Sequence, residues 1–242
     1  MYRYYFFYTL LILFLTAFPG SCLAQQDGLK AIRNAIPGTY DFWVYTPDNA
    51  EAGEPLPLVV FLHGASLRGN DLKRVLRYGP LDAVRRGMAL RAVVMAPQNP
   101  SGAWNTEKID CVLEWTLDHY NIDPEKVYLH GYSGGGETGS LVMAKRPELY
   151  TAFLCCATRW DGEMTALVEA KTPVYMAVGE NDSYYGSGPL KNACQRLHDL
   201  YLAAGLTETE IKQLVTLDVK EQSYFTARGY RDQHIGGQAF AE

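Results

Sequence analysis

The chain has 242 residues, of which 48% are hydrophobic and 20% charged, with a net charge of −5. That length and balance suit one α/β domain with a sizeable core and exclude a disordered chain. An acidic balance without a basic run argues against nucleic acid as a partner and against electrostatic attachment to an anionic membrane.

The first residues stand apart. Arg3 is the only charge before an apolar run from Leu10 to Phe18, which is followed by Pro19-Gly20-Ser21-Cys22-Leu23-Ala24-Gln25. A positive start, a short apolar stretch and small residues before a polar one describe a secretory signal peptide, residues 1–24, with cleavage after Ala24. The chain would then be exported, periplasmic or secreted, with residues 25–242 as a single domain. A lipoprotein signal with Cys22 as the lipidated residue ranks second, because Pro19 stands where an aliphatic residue is usual. A retained membrane anchor ranks third, because the apolar run is short for a bilayer span.

In chain order, Asp41 to Thr46 reads as an early strand stopped by Pro47. Leu58 to Leu62 is a continuous apolar run of the kind found in parallel sheets buried on both faces. It stops at His63-Gly64-Ala65-Ser66. A polar loop from Arg68 to Asp71 leads into a helical pattern reaching about Arg86, and Arg91 to Ala96 is the next strand, closed by Pro97. A loop carrying Trp104 precedes residues 107–120, where Ile109, Val112, Leu113 and Leu117 repeat at helical spacing. Val127 to Leu129 is a buried strand; a helical pattern opens at Glu137 and ends before Pro147. Further strands follow at 152–157, 174–178 and 214–219, with a helix at 188–203. Strands alternating with helices indicate βαβ units and a mostly parallel central sheet flanked by helices.

Between the strand at Leu129 and the helix at Glu137 lies Gly131-Tyr132-Ser133-Gly134-Gly135. This fits the G-x-S-x-G nucleophile elbow, in which a serine sits on a strained strand-to-helix turn. Glycines at 131 and 135 remove the Cβ atoms that would collide there. Sites in open parallel sheets form beyond the carboxyl ends of the strands. The polar residues found there are Glu180, Asn181, Asp182 and Ser183 after one strand, and Asp232, Gln233 and His234 after the last. The order Ser133, Asp182, His234 is that of an α/β-hydrolase, with Glu180 as the rival acid. In this reading His234 takes the Ser133 proton, Asp182 holds the imidazole, and the N–H groups of Gly134 and Ala65 bind the oxyanion.

Other residues have plainer readings. His63 orients the oxyanion loop. His130 is a core residue on the elbow strand, and His119 and His198 lie on helical patterns. Trp104 and Trp160 follow strands on the catalytic side, as candidates to line a substrate pocket or as loop packing. Cys111, Cys155, Cys156 and Cys194 read as buried small hydrophobes, with neither bridge nor metal spacing. No metal or cofactor motif is present, so the chemistry is expected to need none.

The segment from Leu62 to Asp71, with Gly131 to Gly135, resembles the secreted α/β-hydrolase esterases. That group includes feruloyl and acetylxylan esterases, polyhydroxybutyrate depolymerase-like proteins and predicted prolyl-oligopeptidase-like hydrolases. The resemblance covers roughly residues 40 to 240 and selects Asp182 over Glu180. It implies hydrolysis of a carboxylic ester, with a small-molecule or polysaccharide-linked ester as substrate. Two features depart from the group. Gly134 stands where Met, Ala or Gln is common, and the chain ends soon after His234, where a final helix is usual, suggesting a truncated C-terminus. A serine peptidase of the prolyl-oligopeptidase type is the alternative, although that family normally carries a propeller domain for which this sequence has no room. A non-catalytic binding module on the same scaffold is a third reading.

Overall fold

The structure, a computed structural model, describes residues 28–48 and 53–241. The signal-peptide and Cys22 assignments lie outside these residues. Among the described residues, eight strands form one sheet. They are β1 (Leu29–Ile32), β2 (Phe42–Tyr45), β3 (Leu56–Leu62), β4 (Val93–Pro97), β5 (Ile122–Tyr132), β6 (Ala152–Cys156), β7 (Val174–Gly179) and β8 (Val215–Lys220). Their order across the sheet is β1-β2-β4-β3-β5-β6-β7-β8; β1 and β2 run antiparallel to their neighbours and the rest are parallel.

Alternation along β3 shows why the strands read as unbroken apolar runs. Leu58, Val60 and Leu62 pack on one face of the sheet, and Phe61 on the other. The first face is covered by α2 (Thr106–His119), α3 (Gly134–Lys145), α4 (Thr165–Ala170), α5 (Gly188–Ala203) and α6 (Glu208–Leu214). The second carries a 3-10 helix at Leu72–Arg77, then α1 (Pro80–Arg85) and the C-terminal segment. α7 (Gln222–Thr226) and α8 (Gln233–Gly236) follow β8.

Three elements differ from the sequence reading for local reasons. The helical pattern between Asp71 and Arg86 is two pieces, not one. Gly79 turns the chain at φ 82°, a Cβ there would strike the Phe61 ring, and Pro80 starts α1, where its missing N–H costs nothing. β5 starts at Ile122 rather than Val127 because Ile122 pairs with Leu56, five residues before the buried core of the strand. α3 begins at Gly134, the residue after the turn, so the three glycines are helical rather than loop. Cys155 and Cys156 are buried, whereas Cys111 is exposed, which corrects its expected burial; all four described cysteines are free. No helix among the described residues is long and apolar enough to cross a membrane.

The order of strands reverses between β3 and β5, so the chain leaves the sheet in opposite directions on either side of that pair. A crevice opens there beyond the carboxyl ends. Ser133 follows β5 and His63-Gly64-Ala65 follows β3, which places both at this crevice.

Candidate active site

Ser133 sits at φ 53°, ψ −125°, a conformation that L-residues rarely adopt. The surrounding backbone enforces it. Ser133 N–H donates to the Cys156 carbonyl at 3.0 Å, and the Thr158 hydroxyl donates to the Ser133 carbonyl at 2.7 Å. A Cβ at position 131 would lie 2.6 Å from the Gly135 carbonyl oxygen, and one at 135 would overlap the Leu62 carbonyl. Helix α3 therefore rests against β3 with no side chain between them.

The turn holds Ser133 Oγ 3.1 Å from His234 Nε2, and His234 Nδ1 lies 2.9 Å from Asp182 Oδ2. A carboxylate only accepts, so the Nδ1 proton faces Asp182 and Nε2 is left bare toward the serine hydroxyl. Asp182 is buried, and its other oxygen, Oδ1, accepts from the N–H groups of Tyr184 and Tyr185. The rival Glu180 is exposed at the surface. Asp232 instead caps α8, accepting from Ile235 N–H, and that bond together with Ser183 holds its carboxyl below the usual range.

Several residues that the sequence reading missed fix this arrangement. Tyr132 donates from its hydroxyl to the His234 carbonyl at 2.7 Å, while its ring stacks on the imidazole at 5.7 Å. Buried Gln233 accepts from Asn181 N–H at 2.6 Å and donates to Gln222, tying the acid loop to the histidine loop. Tyr185 donates to Glu137 Oε1 at 3.0 Å, and burial followed by that carboxylate raises its pKa. The only signal in the sequence was proximity to the triad candidates, which does not separate these residues from ordinary loop positions.

The loop after β3 is equally constrained. His63 Nδ1 lies 2.7 Å from the Gly64 carbonyl, and Asn99 N–H donates to Nε2 at 3.2 Å. Those two partners define a neutral imidazole with its proton on Nδ1. Burial lowers its pKa to about 4, and it titrates outside the neutral range. Gly64 N–H donates to the Tyr78 hydroxyl at 2.9 Å, whose pKa burial pushes up to about 12. Ala65 lies close to Gly134: a Cβ on Gly134 would stand 3.9 Å from the Ala65 nitrogen.

Ser133, Gly134, Ala65 and His234 line one cavity of about 250 Å³, with Arg68 and Glu137 in its wall. A more apolar hollow of about 320 Å³ lies over β5 and β6, lined by Met88, Tyr128, Leu154 and Phe240, and has no nucleophile in its lining. The two tryptophans correct the sequence reading, because neither lines the Ser133 cavity. Trp104 is buried against the His63 ring at 4.8 Å and Tyr40 at 5.2 Å. Trp160 packs on Phe153 and donates to the Gly162 carbonyl. Trp104 instead lines a separate hollow with Asn105, Leu141 and Lys145, and Trp160 is half-buried against Phe153. His130 is buried beside Phe61, His119 stacks on Trp115 at 3.9 Å, and His198 meets Glu208 and Asp199 at the surface.

Residues 98–210 match the prolyl oligopeptidase family, peptidase S9, a stretch shorter than half the chain that contains Ser133 and Asp182 and stops before His234. No curated protein matches at the sequence level. Solved structures of similar fold include a thermostable esterase, 20% identical, with TM-score 0.68 over 89% of this chain and 60% of that one. The chain thus spans 60% of the length of that esterase. The feruloyl esterase module from Clostridium thermocellum, in a mutant complexed with sinapinate, is 14% identical with TM-score 0.63, over 88% of this chain and 85% of that one. A fluorophosphonate-binding serine hydrolase of Staphylococcus aureus is 12% identical with TM-score 0.60, over 88% and 97%. At these identities the likeness gives the fold, which is that of the α/β-hydrolases.

Proposed function

We propose that this chain is a serine hydrolase that cleaves carboxylic esters through an acyl-enzyme on Ser133. The observation that supports the reading is the unbroken line from Ser133 Oγ through His234 to Asp182, opening onto a cavity that Ala65 and Gly134 also line. Ser133 Oγ attacks the ester carbonyl carbon as its proton passes to His234 Nε2, and the developing oxyanion lies against Ala65 and Gly134 N–H. Collapse breaks the carbon–oxygen bond to the alcohol, which leaves with the proton from His234. Water then repeats the cycle, releasing the acid and restoring Ser133. Asp182 orients the imidazole and stabilises its protonated form.

Acyl groups on polysaccharides are the finer reading, by likeness to the feruloyl esterase module, and export with cleavage after Ala24 is part of it. The match over 98–210 favours a peptidase of the prolyl-oligopeptidase type as the second reading. The decisive experiment is a fluorophosphonate probe on wild type and Ser133→Ala, together with turnover on short acyl nitrophenyl esters, methyl ferulate, acetylated xylan and a prolyl peptide. Labelling that survives Ser133→Ala overturns the nucleophile, and cleavage of the peptide alone favours the second reading. Mass measurement of the exported chain tests the start near Gln25.

A further inference from the structure

Arg68 lines the Ser133 cavity directly after the turn Ala65–Leu67 that carries one oxyanion N–H, and its own backbone N–H donates to the Ala65 carbonyl at 3.2 Å. Its guanidinium has no hydrogen bond and no ion pair among the described residues, and Nε is buried without a partner. Neighbouring arginines are engaged: Arg74 donates to the Ser66 carbonyl, and Arg159 meets Glu137 and Asp161. An arginine stays charged at any accessible pH, so a partly desolvated, unpaired guanidinium in a cavity wall is costly unless something arrives to meet it.

Gly134 leaves room for that arrival. A Cβ at 134 would fall 3.8 Å from Arg68 Nη2 and 3.9 Å from the Ala65 nitrogen, so a side chain there would occupy the gap between the oxyanion position and the guanidinium. With glycine the gap is open. Glu137 Oε1 is held by Arg159 at 3.1 Å and Tyr185 at 3.0 Å, while its Oε2 borders the same gap, 3.9 Å from the Gly134 Cβ position, without forming an ion pair with Arg68.

We propose that Arg68 anchors a carboxylate carried by the substrate close to its scissile ester, so that the site prefers esters bearing a negative charge. The guanidinium fork matches a carboxylate in shape and charge, and an anion held there sits beside, not on, the oxyanion donors. The inference rests on the ester-hydrolase reading and names its substrate class.

The test compares near-isosteric pairs that differ in charge, by proton release at constant pH. Monoethyl succinate against ethyl butyrate places the charge on the acid, and acetoxyacetate against propyl acetate places it on the alcohol. In wild type, kcat/KM for the charged member of at least one pair should exceed that of its neutral twin by roughly ten- to a hundredfold, mainly through KM. The pair that shows it identifies the charged side. Arg68→Gln should bring that ratio close to one, Arg68→Lys should restore part of it, and Gly134→Ala should lower it by filling the gap. Added salt should weaken the preference. Equal rates on both members of both pairs in wild type overturn the proposal. So does an Arg68→Gln variant, folded by circular dichroism, that slows charged and neutral esters alike and keeps the ratio. 4-Nitrophenyl butyrate separates the two readings: its hydrolysis with no charge preference leaves the esterase standing and removes the anchor, whereas no turnover of any ester removes both.

Discussion

Acid should unfold this protein through its buried histidines, and the size of the effect follows from where they sit. His63 is wholly buried with both ring nitrogens engaged, and His130 is buried beside Phe61, 3.8 Å from the Cys156 sulfur. Burial pushes both pKa values down from 6.5 to about 4. The folded state thus keeps both rings neutral where the unfolded chain protonates them. Their contribution is intact above the unfolded pKa and is lost as pH falls from 6.5 toward 4. Linkage makes the loss about 2 kcal/mol per histidine between pH 7 and pH 5. His198, exposed between Glu208 and Asp199, is shifted upward, mainly by its bond to Glu208, and opposes this weakly through water. The perturbation is His130→Leu, which removes one titrating ring from apolar surroundings. Urea melts followed by circular dichroism across this range give stability against pH. Wild type should lose about 4 kcal/mol from pH 7 to pH 5 and the variant about 2. Parallel curves for the two proteins would refute the reasoning.

Three other outcomes are expected. Gly135→Ala drives a methyl into the Leu62 carbonyl and should destabilise the fold by about 3 kcal/mol or more, read as a urea midpoint shift; a change below about 1 would show that α3 slides easily on β3. Asp182→Asn should lower ester turnover by roughly 10³–10⁴-fold while Glu180→Gln stays within about tenfold, and the reverse order would move the acid to Glu180. Tyr132→Phe removes the hydroxyl bond to the His234 carbonyl and should cost about 1–2 kcal/mol in the same melts, with a fall in kcat; unchanged kcat would show that the loop holds His234 unaided.

The parallel core was legible because apolar runs such as Leu58 to Leu62 leave little choice once both faces are covered. The same holds for α5, whose sequence boundaries and structural boundaries coincide. β1 escaped notice because Leu29–Ile32 is short and half exposed, and only its pairing with β2 makes it a strand. Ser133, Asp182 and His234 stood out because polar residues after buried strands are few. Tyr132, Gln233 and Arg68 did not, since their roles depend on loops that meet only in space. For the tryptophans, position after a strand left pocket lining and loop packing equally open, because it says nothing about which way a large ring turns.

The mounting of His234 has a consequence of its own. Ser133 and Asp182 stand at the ends of central strands, but His234 rides on a four-residue helix beside exposed Ile235. Its tethers are the Asp182 carboxylate on Nδ1, one tyrosine hydroxyl on its carbonyl and the glutamine clasp next to it. Short segments near a chain end, held mainly by a few hydrogen bonds, open before a sheet does. The molecule should therefore fall silent before it falls apart. At mild urea or moderate heat, the proposed ester hydrolysis should fade while the sheet persists, and return at once on dilution, because only the segment carrying His234 has swung away.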